Sequence, residues 1–269
     1  MRGLKAVIFI GALGLALAAD SHGATVGHWR FDEGSIGSGA SGAGSVIDSS
    51  GNGLHGTPSN SPVYSGDVAP EVGTGASLRY DGSATRVFVP DAPAFQITQS
   101  ITVEAFVKSQ PMQPGTGPHA MILMRGDNRP GQDPYLLYLT GGNQLTFQID
   151  DPADNYALVT APIAFDTWTH VAGTLDDATG QMKLYVNGVV VDSTVTALRP
   201  VALLDGSPEA GIGIGSDQTG QYGFYLNGWL DEVRLSDVAL TPGQFLPEPG
   251  GAAVMAGLAL CAMRRRRFS

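Results

Sequence analysis

Most of this chain consists of short stretches in which apolar and polar residues alternate, separated by turns rich in glycine and asparagine. The clearest example is the segment 168–192, which reads W-T-H-V-A-G-T-L-D-D-A-T-G-Q-M-K-L-Y-V-N-G-V-V-V-D. Met182, Leu184 and Val186 alternate there with more polar residues, which is the period of a half-buried strand. An Asn-Gly pair at 187–188 supplies the positive φ angles of a two-residue hairpin turn. The segment therefore predicts antiparallel sheet.

Other segments show the same alternation or a short run of β-branched and aromatic residues. They lie at 25–31, 77–80, 86–89, 100–108, 121–124, 135–139, 145–149, 211–215 and 228–236. No long segment has the apolar stripe of a helix, and many short strands joined by glycine-rich turns are typical of a sandwich or barrel. About 220 residues are available for structure between the two ends, which fits one large all-β domain or two small ones. We expect 168–192 to form the structural centre.

The last predicted strand places an acid, Asp231, on one face with Trp229, Val233 and Leu235. An acid on an otherwise apolar face is costly unless it is paired. A cation near the carboxylate is one solution, and an arginine or a turn amide is another. A further alternative leaves Glu232 facing solvent, with Asp231 at the margin of the sheet.

The segment 48–56 reads D-S-S-G-N-G-L-H-G and combines tight turns with oxygen ligands from Asp48 and Asn52. Oxygen-rich loops bent by glycine are what calcium binding requires, although Asx-turn loops without a metal have the same composition. The segment is not an EF-hand loop, because Ser59 occupies the twelfth position, where a bidentate glutamate is needed.

The charge balance is acidic, with a net charge of −10 for the whole chain. Leaving out the charges of the two ends leaves 9 basic and 23 acidic residues, a net charge of −14 for residues 24–246. An acidic body does not suit nucleic acid; it suits divalent cations or neutral glycans, or only aids solubility. The single cysteine, Cys261, lies in the apolar tail, so the body has no disulfide and no thiol nucleophile.

The first 23 residues have the composition of a secretory signal peptide. Arg2 and Lys5 form a basic start, and an apolar run follows at 6–19. The alternative is a buried helix. We expect an N-terminal signal helix at 1–23 and an exported protein.

Several strings, taken together and in order, resemble the laminin-G-like, or concanavalin A-like lectin/glucanase, domain of bacterial surface proteins. They are H-W-R-F-D-E-G, D-S-S-G-N-G-L-H-G, L-R-Y-D-G, I-T-V-E-A-F-V-K, W-T-H-V-A-G-T-L-D, L-Y-V-N-G-V-V-V-D and W-L-D-E-V-R-L-S-D-V-A-L-T. The resemblance implies an all-β, concanavalin-like jelly-roll sandwich of two antiparallel sheets in one domain, residues 24–245.

The resemblance also implies one structural calcium ion. In this fold the exit of the first strand lies near the last strand, which would bring Asp32, Asp48 or Asn52 near Asp231. Backbone carbonyls of the glycines would complete the six to eight oxygens that calcium prefers.

Domains of this family are widely used to bind glycans or proteins, so we expect a glycan or surface polymer as partner. Sugars present C–H faces that stack on aromatic rings, and five tyrosines in or beside predicted loops are the candidate contacts. They are Tyr135, Tyr138, Tyr156, Tyr222 and Tyr225. Core or edge packing is the alternative for each of them. We place the function in the loops 48–56 and 125–134.

Glycoside hydrolases that share this fold carry two facing carboxylates, in some relatives on an E-x-D-x-E strand, and no such string occurs here. Asp150, Asp151 and Asp154 lie in a predicted loop, while His28 and His170 have no serine or cysteine partner at a recognisable spacing. We therefore expect a non-enzymatic module. The alternatives are a divergent glycoside hydrolase or lyase of the same fold and a structural matrix protein without a specific ligand.

Residues 246–269 combine a Pro-Glu-Pro motif, an apolar run at 250–263 and an arginine cluster. The motif residues are Pro247, Glu248 and Pro249, and the cluster is Arg264, Arg265, Arg266 and Arg267. The order resembles the PEP-CTERM sorting signal of Gram-negative bacteria. It implies an inner-membrane-anchored intermediate with cytoplasmic arginines, cleavage by an exosortase, and transfer by the secretion machinery to the cell surface or extracellular matrix. A simple membrane anchor is the alternative.

Overall fold

The computed structural model describes residues 25–126, 133–202 and 208–246, which form fifteen strands and two short 3-10 helices. The strands are β1 (Thr25–Trp29), β2 (Thr57–Ser59), β3 (Val63–Ser65), β4 (Ser77–Asp81), β5 (Arg86–Pro90), β6 (Ile101–Ser109), β7 (His119–Gly126), β8 (Tyr135–Thr140), β9 (Gln144–Asp150), β10 (Tyr156–Pro162), β11 (Thr169–Asp176), β12 (Gln181–Val186), β13 (Val189–Val195), β14 (Gly211–Ile214) and β15 (Asn227–Ser236). The helices are Pro93–Phe95 and Pro242–Gln244. The predicted signal segment and the tail from residue 247 lie outside the described residues.

The strands form two antiparallel sheets. The eight-stranded sheet runs β13-β12-β11-β6-β15-β4-β3, with β1 paired to β15 beside this path, and the seven-stranded sheet runs β10-β9-β8-β7-β14-β5-β2. The predicted all-β sandwich is therefore confirmed. Within the described residues no helix is long and apolar enough to cross a membrane.

One apolar cluster fills the space between the sheets, and the alternation of β6 shows how it is built. Ile101, Val103, Ala105 and Val107 all enter this cluster, as their period of two predicts. Their neighbours along β6 point to the outer side of the sheet, yet most are buried as well. A second layer must therefore cover this part of the eight-stranded sheet.

That layer is the segment 237–246, which we call the C-terminal strap. Leu240 and Phe245 of the strap pack on Ala172 and Tyr185 of the sheet. The amide of Leu240 donates a 2.9 Å hydrogen bond to the Thr102 hydroxyl, on the outer side of β6. The strap thus seals the outer face of the eight-stranded sheet.

Glu104 lies under the strap and is fully buried. One carboxylate oxygen accepts a 2.6 Å hydrogen bond from Nε of Arg234, and the other lies 2.9 Å from Nε2 of His170. The amide of Leu246 donates to the second oxygen as well, at 3.2 Å. These partners satisfy a carboxylate whose burial would otherwise be costly.

The strand pattern differs from the prediction in several places, and the short strands β2 and β3 are among the elements that were not predicted. The segment 168–192 forms β11 to β13, which occupy one flank of the sheet with β13 at its edge, while β6 and β15 occupy the middle. β10 was not predicted, because its inward residues are mostly small. Ala157, Val159 and Ala161 face the core there, and two alanines give only a weak apolar alternation.

The sheets approach each other closely where Gly173 of β11 faces Phe147 of β9, since a Cβ atom on Gly173 would lie 2.1 Å from Cγ of Phe147. We expect Gly173→Ala to lower the free energy of unfolding by about 1–3 kcal/mol, because the added methyl group overpacks the core. Urea denaturation measures the change. Gly141→Ala is the matched control, since its Cβ would meet no atom within 4 Å. An equal loss in both variants would contradict this packing.

Candidate functional site

The first candidate site lies where β15 changes its pairing partner. Residues 227–230 pair with β4, and residues 233–236 pair with β1 on the same side. Between these two stretches the register with β6 shifts, and Glu232 adopts a φ of 49°. This geometry is a β-bulge, which adds a residue to one strand and breaks its alternation.

The bulge changes which side chains face the core. Leu230, Val233 and Leu235 all belong to the core cluster, although a regular strand would send Leu230 to the opposite face from the other two. Asp231 follows Leu230 and therefore turns away from the core face. The prediction that Asp231 shares one face with Val233 and Leu235 is wrong, because the local pattern does not contain the bulge.

Asp231 is nevertheless only 1% exposed, and neither of its carboxylate oxygens accepts a hydrogen bond. Burial, together with the negative charges of Glu232 and Asp32, raises the pKa of this carboxyl to about 8. The backbone amides of Ala69 and Glu232 oppose this rise without forming a hydrogen bond of normal geometry. Asp231 is thus a buried acid without a compensating partner.

The adjacent acid, Glu232, is compensated. Its carboxylate lies 2.5 Å from Nε2 of His28 and accepts a 3.0 Å hydrogen bond from Nε of Arg30. Burial alone would raise the pKa of Glu232, but these two partners lower it below the usual range. The alternative in which Glu232 faces solvent is wrong, since the residue is only 6% exposed.

Asp48 organises its own loop. Its carboxylate accepts four hydrogen bonds of 2.8–2.9 Å, from the amides of His28, Ser50 and Leu54 and from the Ser50 hydroxyl. Burial would raise the pKa of Asp48, but these donors lower it. All of these hydrogen bonds stabilise the turn between β1 and β2, as in an Asx-turn loop.

The four predicted calcium ligands separate into two pairs in the structure. Asn52 donates to the carbonyls of Thr25 and Val26, at 3.1 and 2.9 Å, and so belongs to the same loop as Asp48. Asp32 lies close enough to Asp231 for its charge to raise the pKa of that residue. Among the described residues, no three histidine, cysteine or acidic side chains form a group that could hold a metal. Backbone oxygens would therefore have to complete any cation site at Asp231.

The second candidate site is the outer face of β8 to β10 in the seven-stranded sheet, which we call the open face. Inward residues of these strands, such as Leu145, Phe147 and Ile149, enter the core, so the intervening residues face outward. The outward residues include Tyr138, Thr146, Gln148, Asp150, Tyr156, Leu158 and Thr160. Sequence reasoning missed Gln148 as a candidate, although the polar residues of β9 recur at every second position.

A chain of hydrogen bonds joins three side chains of the open face. The Tyr138 hydroxyl donates to Oε1 of Gln148 at 2.9 Å, and Nε2 of Gln148 donates to Oδ1 of Asp150 at 2.8 Å. Asp150 is directly opposite Tyr156, whose side chain is 64% exposed. Polar groups held in fixed positions beside an exposed aromatic ring are a common arrangement in sugar-binding surfaces.

The Asp150 carboxyl lies at the end of this chain and is 4% exposed. Burial and the charges of Asp154 and Asp151 raise its pKa, the hydrogen bond from Gln148 lowers it, and the result is a pKa of about 6. The group is therefore ionised at pH 7.5 but titrates well above an ordinary aspartate.

The other half of this sheet face is covered by the loop 216–224. The carbonyl of Phe224 accepts a hydrogen bond from β7, and the ring of Phe224 packs against Tyr222 and His119 at centroid distances of 5.6 and 5.2 Å. His119 also contacts Tyr138 edge to face, at 4.9 Å. Burial lowers the pKa of His119. Among the described residues, this loop leaves the β9–β10 half of the face uncovered.

The five predicted tyrosine contacts have different environments. Tyr156 and Tyr222 are exposed, at 64% and 45%. Tyr225 is half-buried, and its hydroxyl donates to a backbone carbonyl within its own loop. Tyr135 and Tyr138 are 0% and 6% exposed, so the expectation of exposed rings beside loops is wrong for these two. Both lie within β8, where Tyr135 faces the core and Tyr138 packs against His119.

The remaining candidates offer no reactive cleft among the described residues. His28 and His170 each pair with a glutamate, and the glutamate beside His170 is fully buried under the strap. Of the predicted functional loop 125–134, residues 127–132 lie outside the described residues. Arg125 at its start is buried, 2.8 Å from Asp91.

Comparison with known families assigns the class of this protein. Residues 81–244 match the profile of Laminin_G_3, described as the concanavalin A-like lectin/glucanases superfamily. The match covers more than half of the chain, and the chain belongs to this family. Among curated protein sequences none matches.

Solved structures share the fold at low sequence identity. Domain 4 of an extracellular arabinanase from Geobacillus stearothermophilus, solved with arabinotriose, has 20% identity and a TM-score of 0.54, and the alignment covers 82% of this chain and 96% of that domain. The binding domain of Paraclostridial Mosquitocidal Protein 1 has 15% identity and a TM-score of 0.56, over 78% of this chain and 50% of that one. The binding domain of botulinum neurotoxin DC in complex with SialylT has 12% identity and a TM-score of 0.56, over 83% and 50%. The chain thus spans about half the length of these toxin domains.

Proposed function

We propose that this protein is a non-enzymatic glycan-binding module whose ligand lies on the open face. The observation that carries the proposal is the exposed ring of Tyr156 beside the hydrogen-bonded series Tyr138, Gln148 and Asp150. A sugar ring can stack its C–H face on Tyr156 while its hydroxyls donate to Asp150 or accept from the amide of Gln148. These groups are held by strands rather than loops, which limits their conformational freedom before binding.

The fold neighbours support this choice of ligand class. The arabinanase domain, which is similar over nearly its whole length, was solved with arabinotriose, and one toxin binding domain was solved with SialylT. Each of these ligands was bound by the neighbouring protein named with it. At these identities the likeness concerns the fold, and the ligand assignment for this chain rests on the open face.

A divergent glycoside hydrolase or lyase of the same fold is the second candidate function. Hydrolysis needs two carboxylates flanking the scissile bond, about 5–5.5 Å apart for retention or 6.5–9.5 Å for inversion. Asp150 lies on a strand of the open face, whereas Asp151 and Asp154 belong to the following turn, and Asp151 is occupied by hydrogen bonds from Ala153 and Asn155. This arrangement favours binding over hydrolysis.

A structural matrix role without a specific ligand would leave the exposed Tyr156 without a function.

We infer that one calcium ion stabilises the domain at Asp231, with Asp32 as its neighbour. The fit rests on the two unpaired, buried oxygens of Asp231. A divalent cation would favour the ionised form there, where burial now favours the neutral one. Asp48 and Asn52 remain in the predicted set, but their hydrogen bonds already satisfy their own loop.

We propose that the protein is exported and then sorted by an exosortase. The proposal rests on the signal-like segment 1–23 and on the Pro-Glu-Pro motif, apolar run and arginine cluster of residues 247–267. An inner-membrane intermediate would precede display on the surface, or release into the extracellular matrix, of a Gram-negative bacterium.

A glycan array tests the binding function. The wild-type domain should bind a defined set of glycans, and Tyr156→Ala should weaken binding by about 1–2 kcal/mol, roughly five- to thirtyfold, because the stacking platform is lost. Tyr222→Ala is the matched control, an exposed tyrosine on the covered half of the same sheet, and should leave binding unchanged. Loss of binding in Tyr222→Ala but not in Tyr156→Ala would show that the glycan does not bind at the open face. Reducing-sugar release by the wild type would favour the enzyme.

Calcium and pH should act on stability through Asp231. Because its folded pKa of about 8 exceeds the usual 3.8, unfolding releases a proton between these values, and the metal-free domain loses stability by up to about 1.4 kcal/mol per pH unit as pH rises from 4 to 8. Excess calcium at pH 8 should raise the Tm above that in chelator. Asp231→Asn should remove both effects.

Asp48→Asn is the matched control for this experiment. It should lower the Tm equally in calcium and in chelator, since the carboxylate of Asp48 accepts four hydrogen bonds within its loop. An unchanged wild-type Tm between calcium and chelator would argue against the ion. A calcium effect lost in Asp48→Asn but kept in Asp231→Asn would place the ion in the 48–56 loop.

Mass spectrometry of the secreted protein tests the sorting. We expect a mature C-terminus near Pro247 and a mature N-terminus close to residue 24 in a host that contains an exosortase. Replacing Pro247 and Pro249 by alanine should leave the apolar run attached to the protein. Recovery of the intact arginine cluster on the wild-type surface protein would refute processing and favour a simple anchor.

A further inference from the structure

We infer that the open face prefers a glycan that carries a free amino group over its N-acetylated counterpart, and that it excludes acidic glycans. This inference rests on the proposed glycan-binding function and names the ligand class of the same site. It follows from the charges around Tyr156, from the hydrogen bonds of Asp150, and from the positions of the basic residues elsewhere in the described structure.

The strands of the open face carry no basic residue. β8 reads Y-L-L-Y-L-T, β9 reads Q-L-T-F-Q-I-D, and β10 reads Y-A-L-V-T-A-P. Asp150 is the single acidic residue of these strands, and the turn that follows adds Asp151 and Asp154. The accessible half of the sheet therefore presents a negative potential beside an aromatic ring.

Several acids elsewhere in the described structure pair with cations. Lys108 pairs with Asp67 at 2.7 Å, Arg199 with Asp177 at 2.5 Å, and Arg234 with the buried Glu104. In the part of the chain that the structure describes, no salt bridge joins a lysine or arginine to Asp150, Asp151 or Asp154. The three acids of the open face thus have no counter-ion among the described residues.

Asp150 provides the specific contact for a cationic ligand. The residue is 4% exposed, Oδ1 accepts the hydrogen bond from Gln148, and Oδ2 has no hydrogen-bond partner among the described residues. A carboxylate accepts hydrogen bonds and cannot donate them, so the ligand must present an N–H or O–H group. An ammonium group forms a charge-assisted hydrogen bond, which is about twice as strong as a neutral one.

The neighbouring charges sharpen this preference. Burial together with Asp154 and Asp151 raises the pKa of Asp150 to about 6, so the carboxyl is ionised at pH 7.5 and an ammonium group would relieve the repulsion. The exposed ring of Tyr156 adds a surface on which a cation is favoured. A ligand carboxylate would instead add a further negative charge at a site where the described residues supply no cation.

Isothermal titration with three tetrasaccharides at pH 6.5 and constant ionic strength tests the inference, because at this pH the Asp150 carboxyl and the amino groups of linked glucosamine are both substantially charged. The probes are β-1,4-linked glucosamine, its fully N-acetylated form and oligogalacturonate. We expect the amino sugar to bind roughly tenfold more tightly than the acetylated one, since the difference is one charge-assisted hydrogen bond, and oligogalacturonate to show no binding. The preference should weaken as salt rises.

Asp150→Asn should abolish the difference between the amino and acetylated sugars. Asp166→Asn, at an exposed acid outside the open face, removes the same charge and should leave the tenfold preference intact. Tighter binding of the acetylated or acidic sugar, or an equal effect of both variants, would overturn the inference while glycan binding itself stands. If no glycan binds on the array or in titration, the proposed function fails instead. If Asp150→Asn does not fold, the relative affinities of the wild-type protein for the three tetrasaccharides still test the inference.

Discussion

The change of pairing partner along β15 is the constraint on which the rest of the sandwich depends. β15 lies beside β6 over most of its length, while its other side pairs first with β4 and then with β1. A single strand cannot keep a perfect register with three neighbours whose own turns fix their positions, and the bulge at Asp231 and Glu232 absorbs the difference. The first strand, the middle of the sheet and the C-terminal strap are all positioned by this one strand.

The bulge also explains why two adjacent acids are buried with opposite consequences. Glu232 adopts a positive φ and reaches His28 and Arg30, whereas neither carboxylate oxygen of Asp231 accepts a hydrogen bond. Glu104 lies on the neighbouring strand and is fully compensated by Arg234 and His170. The domain compensates Glu232 and Glu104 with its own side chains, whereas at Asp231 burial favours the protonated carboxyl.

The strands with regular alternation were predictable because their pattern is local. β6, β12 and the hairpin of β8 and β9 follow from the period of two and from turn residues alone. β10 was missed because alanines fill its inward positions, and the bulge was missed because it depends on three neighbouring strands. The burial of Tyr138 could not be predicted either, since it depends on His119 and the loop 216–224 packed around it.

The candidate sites were predictable to a smaller extent. The proximity of Asp32 to Asp231 followed from the resemblance to the family and not from any local pattern. The role of Asp48 could not be read from its loop, since a calcium loop and an Asx-turn loop share the same residue types, and hydrogen-bond donors distinguish them only in three dimensions. The open face was missed because the polar period of β9 gains meaning only once β10 is placed beside it.

The two outer faces of the sandwich differ because the C-terminal strap packs on only one of them. The strap closes the outer side of the eight-stranded sheet and ends at Leu246, whose amide is bonded to the buried Glu104. The open face lies on the outer side of the other sheet, across a core about 10 Å thick. Leu246, the last described residue, therefore lies on the side of the sandwich opposite to Tyr156 and Asp150.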